Sequence, residues 1–156
     1  MKSKMSLVLG LAVCLFMTTS CWKDTPASIV KKFWNSAERE EINGLIVPEE
    51  RMEQKEFEEF FEKAKESIKN QEIIFEEECM VSGSPVAIVV EEVVLHPPKG
   101  KKKNVFYEYF FIKEADEWKL FTIDFEDEEQ EGWTKNGTWV KHIPGKVRRY
   151  LNNNKD

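Results

Sequence analysis

The chain has 156 residues, 23 of them basic and 29 acidic, with a net charge of −6 at neutral pH. Such an acidic surface repels phosphate backbones and excludes general nucleic-acid binding. Plentiful aromatics and only seven glycines argue against disorder, and the length suits one domain with a real core.

The N-terminus reads as an address. Lys2 and Lys4 are followed by an apolar run from Met5 to Met17. A bilayer core takes about 20 apolar residues, so the run is short for a membrane span and fits the apolar part of a secretory signal. Thr18, Thr19, Ser20 and Cys21 follow. Small residues before a cysteine resemble a bacterial lipoprotein signal, in which the cysteine sulfur is acylated and becomes the new N-terminus. Ser20 fits that pattern, whereas Thr18 stands where it prefers an aliphatic residue. The expectation is a signal over residues 1–20, lipidation at Cys21 and a tether over 21–24. Ordinary secretion is the rival. Removing Lys2 and Lys4 leaves 21 basic and 29 acidic residues, a net charge of −8.

Cysteine usage agrees. Cys14 leaves with the signal and Cys21 takes lipid, so Cys79 is left alone. No intramolecular disulfide and no cysteine-based zinc site is then expected. A lone cysteine in a strand-like run is usually a small buried apolar group.

From residue 25 the pattern is helical. Thr25 caps and Pro26 opens a helix, with Ile29, Val30, Phe33, Trp34 and Ala37 on one face and Asn43-Gly44 at its end. Pro48 opens a second helix with Phe57, Phe60, Phe61, Ala64 and Ile68 on its apolar face. Strands are then expected over 71–81, 86–95, 104–113 and 117–125, with turns at Ser82–Pro85, His96–Gly100 and Ala115-Asp116. The run VAIVVEEVVL is nearly continuous in apolar residues and reads as buried on both faces. Residues 126–156 form an extension. It holds an acidic run (126–131), a hairpin around Asn136-Gly137, and a short helix near 146–151 with Val147, Tyr150 and Leu151 inward. Helices followed by strands predict an α+β domain over 25–125, its helices covering one face of an antiparallel sheet of about four strands. The other face needs cover from a dimer partner or from the C-terminal extension.

Two stretches add a resemblance. The opening "PASIVKKFW" (Pro26–Trp34) and the closing strand after an acidic turn, "DEWKL" (Asp116–Leu120), lie behind a lipid-anchor cysteine. Together they resemble a family of small bacterial lipoproteins carrying an uncharacterised domain with the nuclear-transport-factor-two-like, or cystatin-like, fold. Polyketide cyclases and ketosteroid isomerases share that fold. The likeness covers about two-thirds of the chain. It implies a cone of helices on a curved sheet with a pocket in its mouth, and it implies no agreed reaction. The tail beyond Phe125 departs from the family pattern.

Enzymes on this fold place a few polar groups in an apolar cone, where low dielectric shifts carboxyl pKa values. The weak catalytic candidates are Glu108 and Asp124. Ligand-pocket candidates are Phe106, Tyr107, Glu108, Tyr109 and Phe110. Glu108 lies between Phe106 and Phe110 on one strand face, which is either the aromatic interior or a solvated sheet edge. Asp124 sits near a strand end among other acids, and His96 precedes two prolines in a turn. His142 has no visible partner. No catalytic motif carries over from an enzyme of this fold. Glu76–Glu78 and the 126–131 run lack calcium-loop spacing, so no metal and no cofactor is expected. Lys99 and Lys101–Lys103 form a basic loop that could touch acidic lipid headgroups near the anchor, or simply be a soluble hairpin tip. The expected function is non-enzymatic: a lipid-anchored cell-envelope protein, facing the periplasm or the outside, that binds a small apolar ligand, peptide or protein partner. The alternatives are a cofactor-free isomerase or dehydratase using Glu108 or Asp124, and an interaction module that dimerises through the outer sheet face.

Overall fold

The computed structural model describes residues 23–97, 100–127, 134–135, 138–139 and 143–154. The signal segment, Cys21, Lys99, the end of the acidic run, the Asn136-Gly137 turn and His142 lie outside them.

Helix α1 (Pro26–Asn35) starts as its sequence predicts. Pro26 is its first residue, and the Thr25 hydroxyl accepts the Ser28 N–H at 3.2 Å. It ends earlier than expected, because Ser36 is extended (ψ 142°). A separate helix α2 (Arg39–Leu45) follows. Asn43-Gly44 does not close it. Asn43 is occupied otherwise, accepting the Met52 N–H at 2.9 Å and donating to the Met52 carbonyl at 3.0 Å. The chain leaves the helix at Ile46 and stays extended at Val47, the conformation that a following proline favours. Val47 N–H then bonds the Leu120 carbonyl, tying this segment to the sheet.

Pro48 opens only a 3-10 turn (Pro48–Glu50). The second long helix begins at α3 (Gln54–Glu56), where Glu53 and Glu56 cap each other's backbone. It passes through a wide turn (Phe57–Phe61) into α4 (Glu62–Ser67). The Glu62 N–H reaches the Phe57 carbonyl five residues back, the spacing of a π-bulge.

Strands β1 (Ile68–Val81), β2 (Ser84–Leu95), β3 (Lys103–Glu114) and β4 (Glu117–Asp127) form one antiparallel meander in the order β1-β2-β3-β4. The protein is thus α+β, with helices packed against a four-stranded sheet. Ile68 starts β1 rather than closing the helix. The β1–β2 and β3–β4 hairpin turns use left-handed residues, Ser82-Gly83 and Ala115-Asp116, whose positive φ matches the strand twist. Ile74 and Phe121 are extra residues in their ladders, and such bulges bend a strand.

The register separates two faces. Val89, Glu91, Tyr107, Tyr109 and Ile123 share the face under the helices. Val90, Glu108, Phe110 and Asp124 share the opposite face. Both faces of β2 are buried from Val86 to Glu91, as its apolar run predicts. The extension adds a small ladder between β5 (Thr134–Lys135) and β6 (Thr138–Trp139), and then helix α5 (Gly145–Asn153). Helix α5 buries Val147 and Leu151, sets Tyr150 against Phe121 at 4.9 Å, and brings Lys146 to 3.9 Å from Asp124. The extension therefore helps to cover the second sheet face. Cys79 is half-buried on β1.

Candidate apolar ligand site

A cavity of about 490 Å³ lies between the helices and the sheet. Its wall is mostly aromatic and aliphatic, including Phe33, Trp34, Phe61, Tyr107, Phe121 and Ile123. That volume falls within the range of small-molecule sites, roughly 300–1,000 Å³. Among the described residues, its charged lining side chains, Glu50 and Lys103, are exposed, so the cavity meets solvent beside them.

The wall is built around Trp34. Helix α1 delivers Phe33 and Trp34 together as the inward residues of its last turns. The indole is stacked between two rings, Phe61 at 5.3 Å and Tyr107 at 5.8 Å, with interplanar angles of 7° and 20°. Phe33 meets both Trp34 and Phe61 edge-on at 5.1 Å. Phe57 stacks on Phe61 from behind at 5.4 Å. Edge-on and offset-stacked ring pairs each add about 0.5–1.5 kcal/mol beyond their buried area. Phe57 and Phe61 are four residues apart and share one face of the helix, which places both rings on the same stack.

Behind this wall lies a buried polar chain. The Trp34 indole N–H donates to the Tyr109 hydroxyl, which donates to Glu91 Oε2. Gln71 approaches the same carboxylate oxygen at 3.5 Å. Tyr109 is 0% exposed and Glu91 is 4% exposed. Burial pushes the Glu91 carboxyl above its ordinary range, and the hydrogen bonds from Tyr109 and Trp34 partly oppose this. Burial also raises Tyr109 well above the usual phenol range, with the Glu91 carboxylate adding to the rise. Tyr107 moves in the same direction for the same two reasons. Glu91 and Tyr109 do not line the cavity. They hold the indole in place and leave an apolar surface toward the cavity.

The expected site residues divide by face. Tyr107 lines the cavity and Tyr109 stands directly behind it. Glu108 is 1% exposed, so it is not at a solvated edge, but it lies on the opposite sheet face and does not line the cavity. Phe106 and Phe110 share that opposite face. Asp124, directly across the ladder from Glu108, is half-buried and near Lys146. His96 is exposed, its backbone N–H bonded to the Ser67 carbonyl. Among the described residues, no group of three His, Cys, Asp or Glu side chains is placed to hold a metal ion. Sequence reasoning missed Glu91 and the pairing of Trp34 with Tyr109. The signal was present: an acid inside a run expected to be buried on both faces must find a partner.

No protein-family model matches this chain, and no curated protein matches its sequence.

Proposed function

We propose that this chain is a lipid-anchored protein of the bacterial cell envelope whose α+β domain binds a small apolar ligand between its helices and its sheet. The observation that carries the reading is the apolar cavity of about 490 Å³ reaching solvent beside Glu50 and Lys103. A purely structural module would fill this space with its own rings. The binding reading is favoured over an isomerase or dehydratase because Glu108 and Asp124 lie on the other sheet face, and Glu91 is sealed behind Trp34 and Tyr107.

The test is a fluorescence titration with N-phenyl-1-naphthylamine, a neutral apolar probe. The expected result is saturable binding of one probe per chain in the micromolar range. Ala64 is half-buried and lines the cavity. Ala64→Trp fills that space, so it abolishes probe binding while leaving the unfolding midpoint unchanged or raised. Probe binding that survives Ala64→Trp would place the probe elsewhere and sink the reading.

The anchor rests on the Thr18–Cys21 sequence and on its nearness to the domain, since Pro26 opens α1 five residues after Cys21. Cys21→Ser is expected to move the protein from the membrane to the soluble fraction and to abolish incorporation of labelled palmitate. Unchanged membrane recovery would contradict lipidation.

A further inference from the structure

The cavity is elongated along the strands. Leu95 and Lys103, paired across β2 and β3, lie in its wall, and so does Leu120, which pairs with Phe111. Lys103 and Phe111 are eight residues apart on β3, a rise of roughly 26 Å. A volume of about 490 Å³ spread over that path has a mean cross-section of roughly 20 Å², or about 5 Å across. Over half that length the width is still only about 7 Å. Carbon atoms in contact sit about 3.5–4.0 Å apart, so two hydrocarbon chains side by side need roughly 8 Å. The bore takes one chain and not two.

Its ends carry opposite charge. At one end Lys103 lines the cavity and completes the exposed run Lys101-Lys102-Lys103. At the other end Glu50 lines it. The Val47 N–H bonds the Leu120 carbonyl and the Glu50 N–H bonds the Val47 carbonyl, which holds the Pro48–Glu50 turn at the Leu120 rung. More acid gathers there: the Tyr150 hydroxyl lies 3.0 Å from Glu114 Oε1 and 3.5 Å from Glu49 Oε2.

We infer that the ligand is an unbranched long-chain carboxylate, its hydrocarbon chain lying between helices and sheet and its head at the Lys103 end. The inference rests on the binding reading above and names the ligand class of that same cavity. At the Glu50 end a carboxylate would meet like charges, which repel. At the Lys103 end three consecutive cations on long flexible stems surround the head, and the lysine stems extend the apolar wall. A phospholipid with two chains is too wide.

The test is displacement of bound N-phenyl-1-naphthylamine by octanoate, decanoate and dodecanoate at submicellar concentrations. Affinity is expected to rise about fourfold for each added methylene, the gain for one fully buried. Decanoate should displace the probe better than decylammonium or 1-decanol. Lys103→Glu should lower the preference for decanoate over 1-decanol, measured within each protein, by at least tenfold. That ratio is insensitive to any loss of folded protein. Taurocholate, a bulky fused-ring anion, should displace the probe poorly. Affinity independent of chain length, or equal displacement by taurocholate, would overturn the single-chain class. Stronger displacement by decylammonium, or an unchanged preference in Lys103→Glu, would overturn the placement of the head. Failure of the binding reading is distinguishable, since the probe itself would then not bind saturably before any competitor is added.

Discussion

Phe61→Ala is expected to lower the free energy of unfolding by about 3–5 kcal/mol, the range for deleting a buried aromatic ring. Phe61 is 1% exposed and touches Phe33, Trp34 and Phe57 through ring contacts of 5.1–5.4 Å. Its loss removes one side of the stack that holds Trp34. It also joins new empty volume to the cavity that Phe61 lines. A domain of this size has about 5–15 kcal/mol in total, so the variant is marginal near room temperature. Urea unfolding of the two proteins at one pH checks this. A loss below about 1 kcal/mol, typical of a surface site, would mean that the ring is not packed as described.

Tyr109→Phe carries the other large effect, about 2–6 kcal/mol. The hydroxyl accepts from Trp34 and donates to Glu91, so its removal strands a buried donor and a buried acceptor together. Each stranded group costs about 1–3 kcal/mol. Glu91→Gln behaves differently, because its amide oxygen still accepts the Tyr109 O–H and it never ionises. The folded-state pKa of Glu91 is raised, whereas the unfolded chain titrates near the ordinary value of about 4.3. Between the two values the folded protein holds a proton that the unfolded chain has lost. This contribution to stability is therefore fully present below the unfolded pKa and disappears as pH rises through the folded one. Glu91→Gln should gain on the wild type as pH rises above the unfolded pKa, and run parallel to it once pH has passed the raised folded one. Urea midpoints at a series of pH values check the sign. A constant difference between the two proteins across that interval would show that Glu91 titrates normally.

The sequence made the elements legible where one local signal dominated. Thr25-Pro26 opened a helix because capping needs no distant partner. The Val86–Leu95 run became a central strand because an apolar run of that length has to be buried on both sides. The break at Ser36 and the helical course through Gly44 were not legible, since both involve partners outside the helix, the Ser36 carbonyl accepting from Lys65 Nζ at 2.9 Å. Asn43 is held by Met52, and Val47 by the edge of β4. The site was half legible for the same kind of reason. Period-two alternation placed Tyr107 and Tyr109 on one face and Phe106, Glu108 and Phe110 on the other. It could not say which face the helices would cover. The Phe121 bulge and the Trp34–Tyr109–Glu91 chain join residues up to 75 positions apart, a separation that no local pattern encodes.

The most direct test of the central claim, an open apolar cavity walled by Trp34, is an NMR titration of the protein with N-phenyl-1-naphthylamine. The Trp34 indole N–H resonance should shift saturably, with probe contacts to the Ala64 methyl group and the Ile123 side chain. Shifts confined to exposed side chains such as Ile74 and Met80, with the Trp34 resonance unmoved at saturation, would contradict it.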